Sequence, residues 1–280
     1  MSLMLRLLSI SAATAILSFA ATNEQVEKFV KRGLSSNPHI KVKSVEVVDK
    51  RALKNPKGWE AYFVNFKLSL QRGKKSFNIN QNDILFANGN LIAPDLIDIN
   101  TNRSLKKSLS PSIKPTIYNK EHLLYGNKDA KHKILVFSDP VCPFCKDYVP
   151  PLIDVAKKYP NTFALYYYHF PLAMIHPASP TISKAMIVLQ KNGKKDLIEK
   201  IYKTNFNFRE KNETKILDEL NKKLKTNLTL KDINREWVKK SLENDIENGN
   251  RLFVRGTPTV YFDSKKDPSI SKYKKYIPKK

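Results

Sequence analysis

The sequence predicts an α+β domain near the N-terminus, followed by a larger α/β domain. The chain has 280 residues, which is enough for two domains. Up to residue 102, apolar and polar residues alternate as in antiparallel strands with one buried face. Further along, a continuous apolar run leads into Cys142-Pro143-Phe144-Cys145 and then a helical pattern. Because continuous apolar strands belong to sheets that are covered on both faces, this order indicates an α/β domain.

Residues 1–20 have the composition of a cleavable export signal. Arg6 is the only charged side chain before Glu24, and an apolar stretch follows it. Ser18-Phe19-Ala20 fits a small-x-small cleavage site. The apolar stretch is short for a membrane span, and an uncleaved anchor is the alternative. We expect cleavage after Ala20 and export to a compartment where disulfides form.

Residues 21–102 are predicted to fold as one helix on a curved antiparallel sheet. Thr22 and Gln25 have capping-box spacing at the start of an amphipathic helix that extends to Leu34. Strand patterns follow at residues 42–48, 60–70 and 84–92. The last pattern contains Asn88-Gly89, which indicates a hairpin. The segment is small and carries no catalytic constellation, so we expect it to serve association or binding.

Residues 103–115 are predicted to form a partly helical linker between the two domains. Scattered apolar residues lie among lysines and serines in this stretch. Pro111 and Pro115 would stiffen it and hold the two domains apart.

The α/β domain is predicted to span residues 116–280. Ile134–Phe137 is a continuous apolar run, as expected of a central buried strand, and Phe163–His169 is a second β-rich run. Between them a helix is expected to begin at Cys142. Pro150-Pro151 would kink this helix, because a proline inside a helix lacks the N–H that the helix needs.

A helical insertion is predicted at about residues 175–250. Its helical patterns lie at residues 179–193, 197–202, 216–224 and 233–246. Ser179-Pro180 is expected to cap and start the first helix. Trp237 on the last helix is expected to lie in the core. His169 and His176 are expected to be structural histidines with satisfied hydrogen bonds.

Cys142 and Cys145 are the only cysteines, and their place at a helix start predicts a reactive pair. A helix N-terminus offers unpaired N–H groups and a partial positive charge, and both favour a thiolate. We therefore expect Cys142 to be acidic and nucleophilic, with Cys145 behind it as the resolving thiol. Pro143 suits the first helical turn, where its missing N–H is not needed.

A zinc site and a purely structural disulfide are the alternatives for this pair. A structural zinc needs four ligands, but the sequence has no second CxxC and no histidine pair at the usual spacing. A disulfide between the two cysteines closes a very short loop and restricts the unfolded chain little. In an exported protein, two such cysteines are better suited to handling disulfides than to holding the fold together. We expect neither a metal nor another cofactor.

The chain is strongly basic, because Lys and Arg outnumber Asp and Glu by 50 to 26 and give a net charge of +24. Nucleic-acid binding is the first function class to test at such a charge. The lysines, however, are spread through every segment, and aromatic residues do not interleave with them in a recognisable binding motif. We expect a solvated basic surface and no nucleic-acid partner.

The second informative stretch is Gly256-Thr257-Pro258, which directly precedes the β-branched and aromatic run Thr259–Phe262. A proline there is not an ordinary central-strand residue. It fits either a cis Thr257–Pro258 bond at a strand entry or a trans proline on an edge strand. The order of strand, CxxC at a helix start, helices and Gly-Thr-Pro before a strand favours the cis form.

This order resembles the thioredoxin superfamily. Within it, Phe137–Lys146, with the sequence FSDPVCPFCK, is similar to the bacterial periplasmic disulfide interchange proteins DsbC and DsbG, and to DsbG most closely. The resemblance implies a cystatin-like N-terminal dimerisation domain, a linker helix and a thioredoxin-like α/β catalytic domain with a helical insertion. These parts would match residues 21–102, 103–115 and 116–280.

Two positions favour an isomerase or reductase within this resemblance. Val136, six residues before Cys142, is apolar as in the DsbC/DsbG group, whereas thioredoxin and the oxidase DsbA carry an acid there. Thr257 precedes the proline as in the same group, whereas the oxidase has Val. The dipeptide in Cys142-Pro143-Phe144-Cys145 differs from that of either type protein, so the resemblance implies no particular redox potential.

The resemblance also implies roles for the site residues. Cys142 and Cys145 would be catalytic, and Thr257 and Pro258 would form backbone pairs with an extended client segment. The Thr257 hydroxyl is expected to donate to the Cys142 thiolate and lower its pKa. Phe144 would contact the client, unless it serves only in packing.

The implied function is a periplasmic enzyme that isomerises or reduces non-native disulfides in exported proteins. Its partners would be client proteins with disulfides, a membrane reductase of the DsbD type and a second copy of the chain. A DsbA-like oxidase that happens to carry a dimerisation domain is the main alternative. A client-holding chaperone whose thiols are secondary is the other.

Overall fold

The computed structural model describes residues 20–72 and 75–279, which fall into two units that divide between Pro94 and Asp95. Of the predicted signal peptide, residues 1–20, only Ala20 is described, so that prediction lies outside the described residues. No helix within the described ranges is long and apolar enough to cross a membrane.

The N-terminal unit contains one helix and a four-stranded antiparallel sheet, as the sequence pattern predicted. Thr22 caps the helix, because its Oγ1 accepts from the Gln25 N–H at 3.2 Å while the Gln25 side chain accepts from the Thr22 N–H at 2.7 Å. The helix buries Val26 in a cluster with Tyr62 and Val64 of the sheet. The elements, whose strands lie in sheet order β1-β2-β3-β4, are α1 (Asn23–Ser35), β1 (Ile40–Ala52), β2 (Glu60–Arg72), β3 (Lys75–Asn88) and β4 (Leu91–Ala93).

The C-terminal unit is built on a five-stranded sheet with the order β11-β10-β8-β9-β7. Strand β8 lies in the centre, and its residues from Ile134 to Phe137 are fully buried, as predicted. It pairs in parallel with β9, and the helix α2 connects the two. The bounds are β5 (Ile97–Asp98), β6 (Arg103–Ser104), β7 (Leu123–Tyr125), β8 (His132–Ser138), α2 (Pro143–Lys158), β9 (Phe163–His169), β10 (Thr259–Phe262) and β11 (Lys265–Lys266).

Residues 103–115, predicted as a linker, begin in the short strand β6 and continue into a 3-10 helix at Leu105–Ser108. Ser104 caps this turn, because its Oγ accepts from the Lys106 N–H. A second 3-10 helix begins at Pro115. Helical structure in this stretch is therefore confined to single 3-10 turns.

Five helices form an insertion between β9 and β10, as predicted. Helix α2 itself continues through Pro150 and Pro151 to Lys158, and the kink expected at these prolines stays a prediction. Such continuity is possible because Pro150 is buried within the packed helix, where tertiary contacts outweigh the lost backbone bonds. The helices of the insertion are α3 (Ser179–Lys191), α4 (Asp196–Lys203), α5 (Glu213–Leu224), α6 (Leu230–Ile233) and α7 (Glu236–Arg251).

Three details of the insertion differ from the sequence prediction. Ser179 does not cap α3, since Ala178 takes the N-cap position without a side-chain bond. The helix expected at residues 233–246 is divided into α6 and α7, because Asn234 ends α6 and Arg235 takes an extended backbone conformation before α7. Trp237 is 40% exposed and does not lie in the core.

Gly249 brings helix α7 against the strand that leads to the two cysteines. A Cβ atom at this position would lie 2.5 Å from the ring of Phe170 and 3.3 Å from the ring of Phe137. Only glycine permits so close an approach between the helix backbone and these rings. The contact places the insertion directly behind the end of β8, where the site begins.

Candidate functional site

Cys142 and Cys145 lie at the start of α2, immediately after the central strand. Cys142 is the N-cap and Pro143 is the first helical residue, as the sequence predicted. Both cysteines are free thiols and both are buried, Cys145 completely. Cys142 therefore faces the unpaired N–H groups of the first helical turn, while Cys145 lies one turn deeper in the protein.

The surroundings lower the pKa of the Cys142 thiol and raise the pKa of the Cys145 thiol. A hydrogen bond from the Cys145 thiol is the main cause that lowers the pKa of Cys142 to about 5, and the N–H groups of Cys145 and Phe144 add to it against the effect of burial. Burial raises the pKa of Cys145 far above its usual range, and its bond to Cys142 raises it further. The arrangement thus holds one thiolate, on Cys142, with Cys145 as its donor.

The Thr257–Pro258 loop covers the Cys142 sulfur. The Thr257–Pro258 bond is cis, as predicted, and precedes β10, which pairs with β8. In its protonated form, the Cys142 thiol donates to the Thr257 carbonyl oxygen at 3.5 Å. The Thr257 hydroxyl is buried and has no partner within the described residues. The Thr257 side chain lowers the pKa of Cys142, but less than the Cys145 thiol does. The hydrogen bond between Thr257 and Cys142 is therefore made by the Thr257 carbonyl and not by its hydroxyl.

Phe144, between the two cysteines, points away from the core. Its side chain is 74% exposed. An aromatic ring in this position is available to a molecule that approaches Cys142, and exposure of this extent leaves it little packing role within the unit.

Asp139 organises the turn before Cys142, a role that the sequence reasoning missed. Its carboxylate is fully buried and accepts from the N–H groups of Val141 and Leu172 at 2.9 and 2.8 Å. Nδ1 of His176 lies 2.9 Å from the same carboxylate. Asp139 therefore joins the cysteine turn to the segment after β9. A buried carboxylate directly after a central strand was the available signal.

His169, at the end of β9, and His176, seven residues later, differ from each other. His176 has the satisfied hydrogen bond expected of a structural histidine, through Asp139. His169 is fully enclosed, and its Nδ1 has no partner in the described part of the chain. Burial lowers the pKa of His169 to about 4, so the ring is neutral at physiological pH. The prediction of a satisfied histidine is therefore wrong for Nδ1 of His169.

A chain of three hydroxyl groups lies behind Cys145 and was also missed. The Ser138 hydroxyl is 2.7 Å from the Tyr202 hydroxyl, which is 2.5 Å from the Tyr167 hydroxyl. All three side chains are buried. Tyr202 belongs to α4 of the insertion, so no local pattern near the cysteines announces it.

A cavity of about 740 Å³ lies between β9 and helices α3 and α7. Tyr167, His169 and the half-exposed Trp237 are among its lining residues. His122 and Asp245 also line it and are paired at 2.6 Å. The described residues contain no cluster of three or more His, Cys, Asp or Glu side chains that would hold a metal ion.

Several solved structures are weakly similar to the chain. A thioredoxin-like oxidoreductase from Silicibacter pomeroyi is 18% identical, with a TM-score of 0.45, over 54% of this chain and 88% of that one. The catalytic domain of Proteus mirabilis ScsC is 24% identical, with a TM-score of 0.44, over 57% and 87%. BdbD from Bacillus subtilis is 19% identical, with a TM-score of 0.44, over 60% and 92%. No curated protein matches the chain.

The family assignment rests on the family model described as thioredoxin, which matches residues 118–278. The matched stretch includes the central sheet, the dithiol, the insertion and the cis-proline loop. It covers more than half of the chain. With this match and a dithiol at a helix start, the chain belongs to the thioredoxin family and is a thiol:disulfide oxidoreductase.

Proposed function

We propose that the protein isomerises or reduces non-native disulfides in exported proteins, in the manner of the DsbC/DsbG group. The contrast between the two cysteines supports this most directly. Cys142 is ionised near neutral pH and meets the client, while Cys145 is held protonated behind it.

The exchange begins when the Cys142 thiolate attacks one sulfur of a client disulfide. The client S–S bond breaks, a mixed disulfide forms and the second client sulfur leaves as a thiolate. If a client thiolate then attacks another client sulfur and finally the mixed disulfide, a rearranged client departs and Cys142 is regenerated. If rearrangement stalls, Cys145 attacks the Cys142 sulfur and releases a reduced client. The resulting Cys142–Cys145 disulfide then needs an electron donor, for which we propose a membrane reductase of the DsbD type.

Two residues near the thiols favour the isomerase or reductase over an oxidase. Val136 is a fully buried apolar residue of β8, where thioredoxin and DsbA carry an acid. Thr257 precedes the cis-proline, as in the DsbC/DsbG group, whereas the oxidase has Val there. The backbone of this loop and the exposed Phe144 would together hold an extended client segment.

We propose that the N-terminal unit forms a homodimer and that the protein acts in the periplasm. Phe77 and Leu91 of the N-terminal sheet are 50% and 70% exposed, which leaves apolar surface for association. Export follows from the signal-like residues 1–20, with cleavage after Ala20. Sedimentation of the mature chain at micromolar concentration tests the dimer, and a monomer would contradict it.

One assay panel separates the proposed activity from the two alternatives. Reactivation of a substrate protein with scrambled disulfides indicates the isomerase, whereas rapid oxidation of a reduced peptide indicates an oxidase. Suppression of aggregation that survives Cys142→Ala indicates a chaperone. We expect reactivation by the wild type and none by Cys142→Ala. Peptide oxidation without reactivation would overturn the isomerase proposal.

A further inference from the structure

Resolution of the mixed disulfide requires that a proton leave the buried Cys145 thiol. If Cys145 resolves the mixed disulfide, as the proposed function has it, then its thiol must lose a proton during the attack. Cys145 is fully buried, and burial opposes its ionisation. Val136 supplies no acid or base in the strand beneath it. The proton therefore needs another way out of the core.

The buried hydroxyl chain begins next to this thiol. Ser138 ends the strand just before the cysteine turn, and its hydroxyl lies near enough to Cys145 to act, as a minor cause, against the effect of burial on the pKa of that thiol. From Ser138 the distances of 2.7 Å to Tyr202 and 2.5 Å from Tyr202 to Tyr167 are hydrogen-bond distances between hydroxyl groups. Each hydroxyl can donate one proton and accept another, so the chain is continuous for proton transfer.

The last residue of the hydroxyl chain, Tyr167, is almost fully buried but lies at the wall of the cavity described above. Tyr167 lines the cavity of about 740 Å³, together with His169. The rings of Tyr167 and His169 are 4.8 Å apart, and Nδ1 of His169 has no partner among the described residues. A polar cavity of this size holds water, which accepts protons readily.

Asp139 is the one carboxylate of the cysteine turn and the competing acceptor. Its two oxygens already accept from Val141, Leu172 and His176. These three donors occupy both oxygens, so a proton could reach the carboxylate only by displacing one of them. The hydroxyl chain carries no such cost, since every donor finds a new acceptor after transfer.

We propose that Ser138, Tyr202 and Tyr167 form a relay that carries the Cys145 proton to the cavity during resolution. Cys145 sulfur forms the new bond to Cys142 sulfur, the bond from Cys142 to the client breaks, and the client leaves as a thiolate. The Cys145 proton moves to Ser138, the Ser138 proton to Tyr202, and the Tyr202 proton to Tyr167. The Tyr167 proton passes to water in the cavity. The reverse shift returns a proton to Cys145 when the disulfide is reduced.

The two tyrosines are suited to a concerted shift. Burial raises the pKa of both Tyr167 and Tyr202 well above the usual value, so neither forms a stable phenolate. A proton that leaves one hydroxyl must be replaced at once by another. The relay therefore moves several protons in one step, and this property is measurable.

The test is a stopped-flow reaction of the reduced full-length mature protein with the aryl disulfide dithiobis-nitrobenzoate. The first nitrothiobenzoate is released when Cys142 attacks, and the second when Cys145 resolves. We expect Tyr202→Phe and Tyr167→Phe to slow the second release by roughly tenfold or more and to leave the first within about twofold, since proton transfer to a positioned group contributes at least that much. In mixtures of light and heavy water, the wild-type second release should show a multi-proton dependence that the variants lose.

Tyr261→Phe is the matched control. It removes a buried tyrosine hydroxyl that donates to the Leu252 carbonyl at 3.0 Å and belongs to another cluster. Both releases should be unchanged in this variant. An unchanged second release in Tyr202→Phe and Tyr167→Phe, or equal slowing of both releases, would overturn the relay alone. A wild-type protein that never gives a second release would overturn the resolving role of Cys145, and with it the relay and the reductase route, while the isomerase route through Cys142 alone is judged by the reactivation assay.

Discussion

Cys142 and Cys145 are three residues apart, yet their surroundings act on their thiols in opposite directions. Around Cys142 lie backbone N–H groups, the Cys145 thiol and the Thr257 loop, and together they stabilise a negative charge. Around Cys145 lie buried side chains of the sheet and the insertion, which destabilise one. One helical turn at the edge of the core is therefore enough to make one cysteine a nucleophile and to keep the other protonated as the resolving thiol.

The largest effects are expected when each sulfur is removed in turn. Cys142→Ala should reduce disulfide exchange to the background rate, because the stabilised thiolate is lost. Cys145→Ala should keep the first attack and accumulate mixed disulfides, since nothing resolves them. Non-reducing gels of protein incubated with a disulfide-containing client give the result. Mixed disulfides in Cys142→Ala instead would reverse the two roles.

The turn that separates the two environments depends on Asp139. Asp139→Asn should lower the free energy of unfolding by about 3 kcal/mol and slow exchange, because a buried carboxylate with three partners is replaced by an amide. Asp267→Asn is the control, since Asp267 is also buried and accepts from Ser269 and Lys272 elsewhere. It should lower stability without slowing exchange. Denaturant unfolding and exchange rates, measured on both variants, separate a loss of stability from a slower exchange. Equal stabilities of wild type and Asp139→Asn would contradict the role.

The comparison also predicts how the stability of the reduced protein depends on pH. The pKa of Cys142 is about 5 in the fold and near 8.5 in an unfolded chain. Its contribution to stability is therefore complete above about pH 8.5 and is lost as pH falls through about 5. The raised pKa of Cys145 has the opposite effect, because above about pH 8.5 only the unfolded chain ionises.

Denaturant unfolding of reduced wild type and Cys142→Ala between pH 4 and pH 8 measures the first contribution. The stability difference in favour of the wild type should grow with rising pH. The rate of the first exchange step should rise through the same titration and become constant above it. A pH-independent difference would mean that Cys142 has an ordinary thiol pKa.

Removal of the Thr257 hydroxyl should have a smaller effect, on the pKa of Cys142. Thr257→Val should raise the pKa of Cys142 by less than about one unit, since the Thr257 side chain is a minor cause and its carbonyl is kept. Thr259→Val is the control on the same loop, because its hydroxyl donates to the Gly256 carbonyl and not to a thiol. Thiolate ultraviolet absorbance against pH measures both. Equal titrations of wild type and Thr257→Val would show that the Thr257 hydroxyl does not stabilise the Cys142 thiolate.

The smallest expected effect on the thiols is that of Phe144→Ala. The side chain is 74% exposed, so its loss should change the free energy of unfolding by less than about 0.5 kcal/mol. We expect the KM for a protein client to rise while the pKa of Cys142 stays the same. Exchange kinetics with a protein client and with a small disulfide separate the two quantities. An unchanged KM for the protein client would remove Phe144 from the client contact.

Local sequence patterns were sufficient to predict the backbone elements that hold the site. The apolar run at Ile134–Phe137, the CxxC after it and Gly256-Thr257-Pro258 each act through their nearest neighbours in sequence. The central strand, the helix start and the cis bond were therefore predicted correctly. The capping box at Thr22 was predicted for the same reason.

The missed features depend on residues that are distant in the sequence. Ser138 and Tyr202 are 64 residues apart, and Asp139 and His176 are 37 apart. No periodicity announces such pairs, because each polar group finds its partner only after the insertion packs on the sheet. Trp237 was placed in the core for a similar reason, since an apolar face does not reveal that it borders a cavity.

The acidic thiol at the helix start also determines how tightly the protein holds electrons. A sulfur that is stable as an anion is a good leaving group, so a disulfide that contains Cys142 is easily broken by another thiolate. Stabilisation of the anion favours the dithiol over the disulfide, and an ordinary donor can then recharge the pair. The polarity of one helix end thus favours the reduced dithiol of this pair over its disulfide.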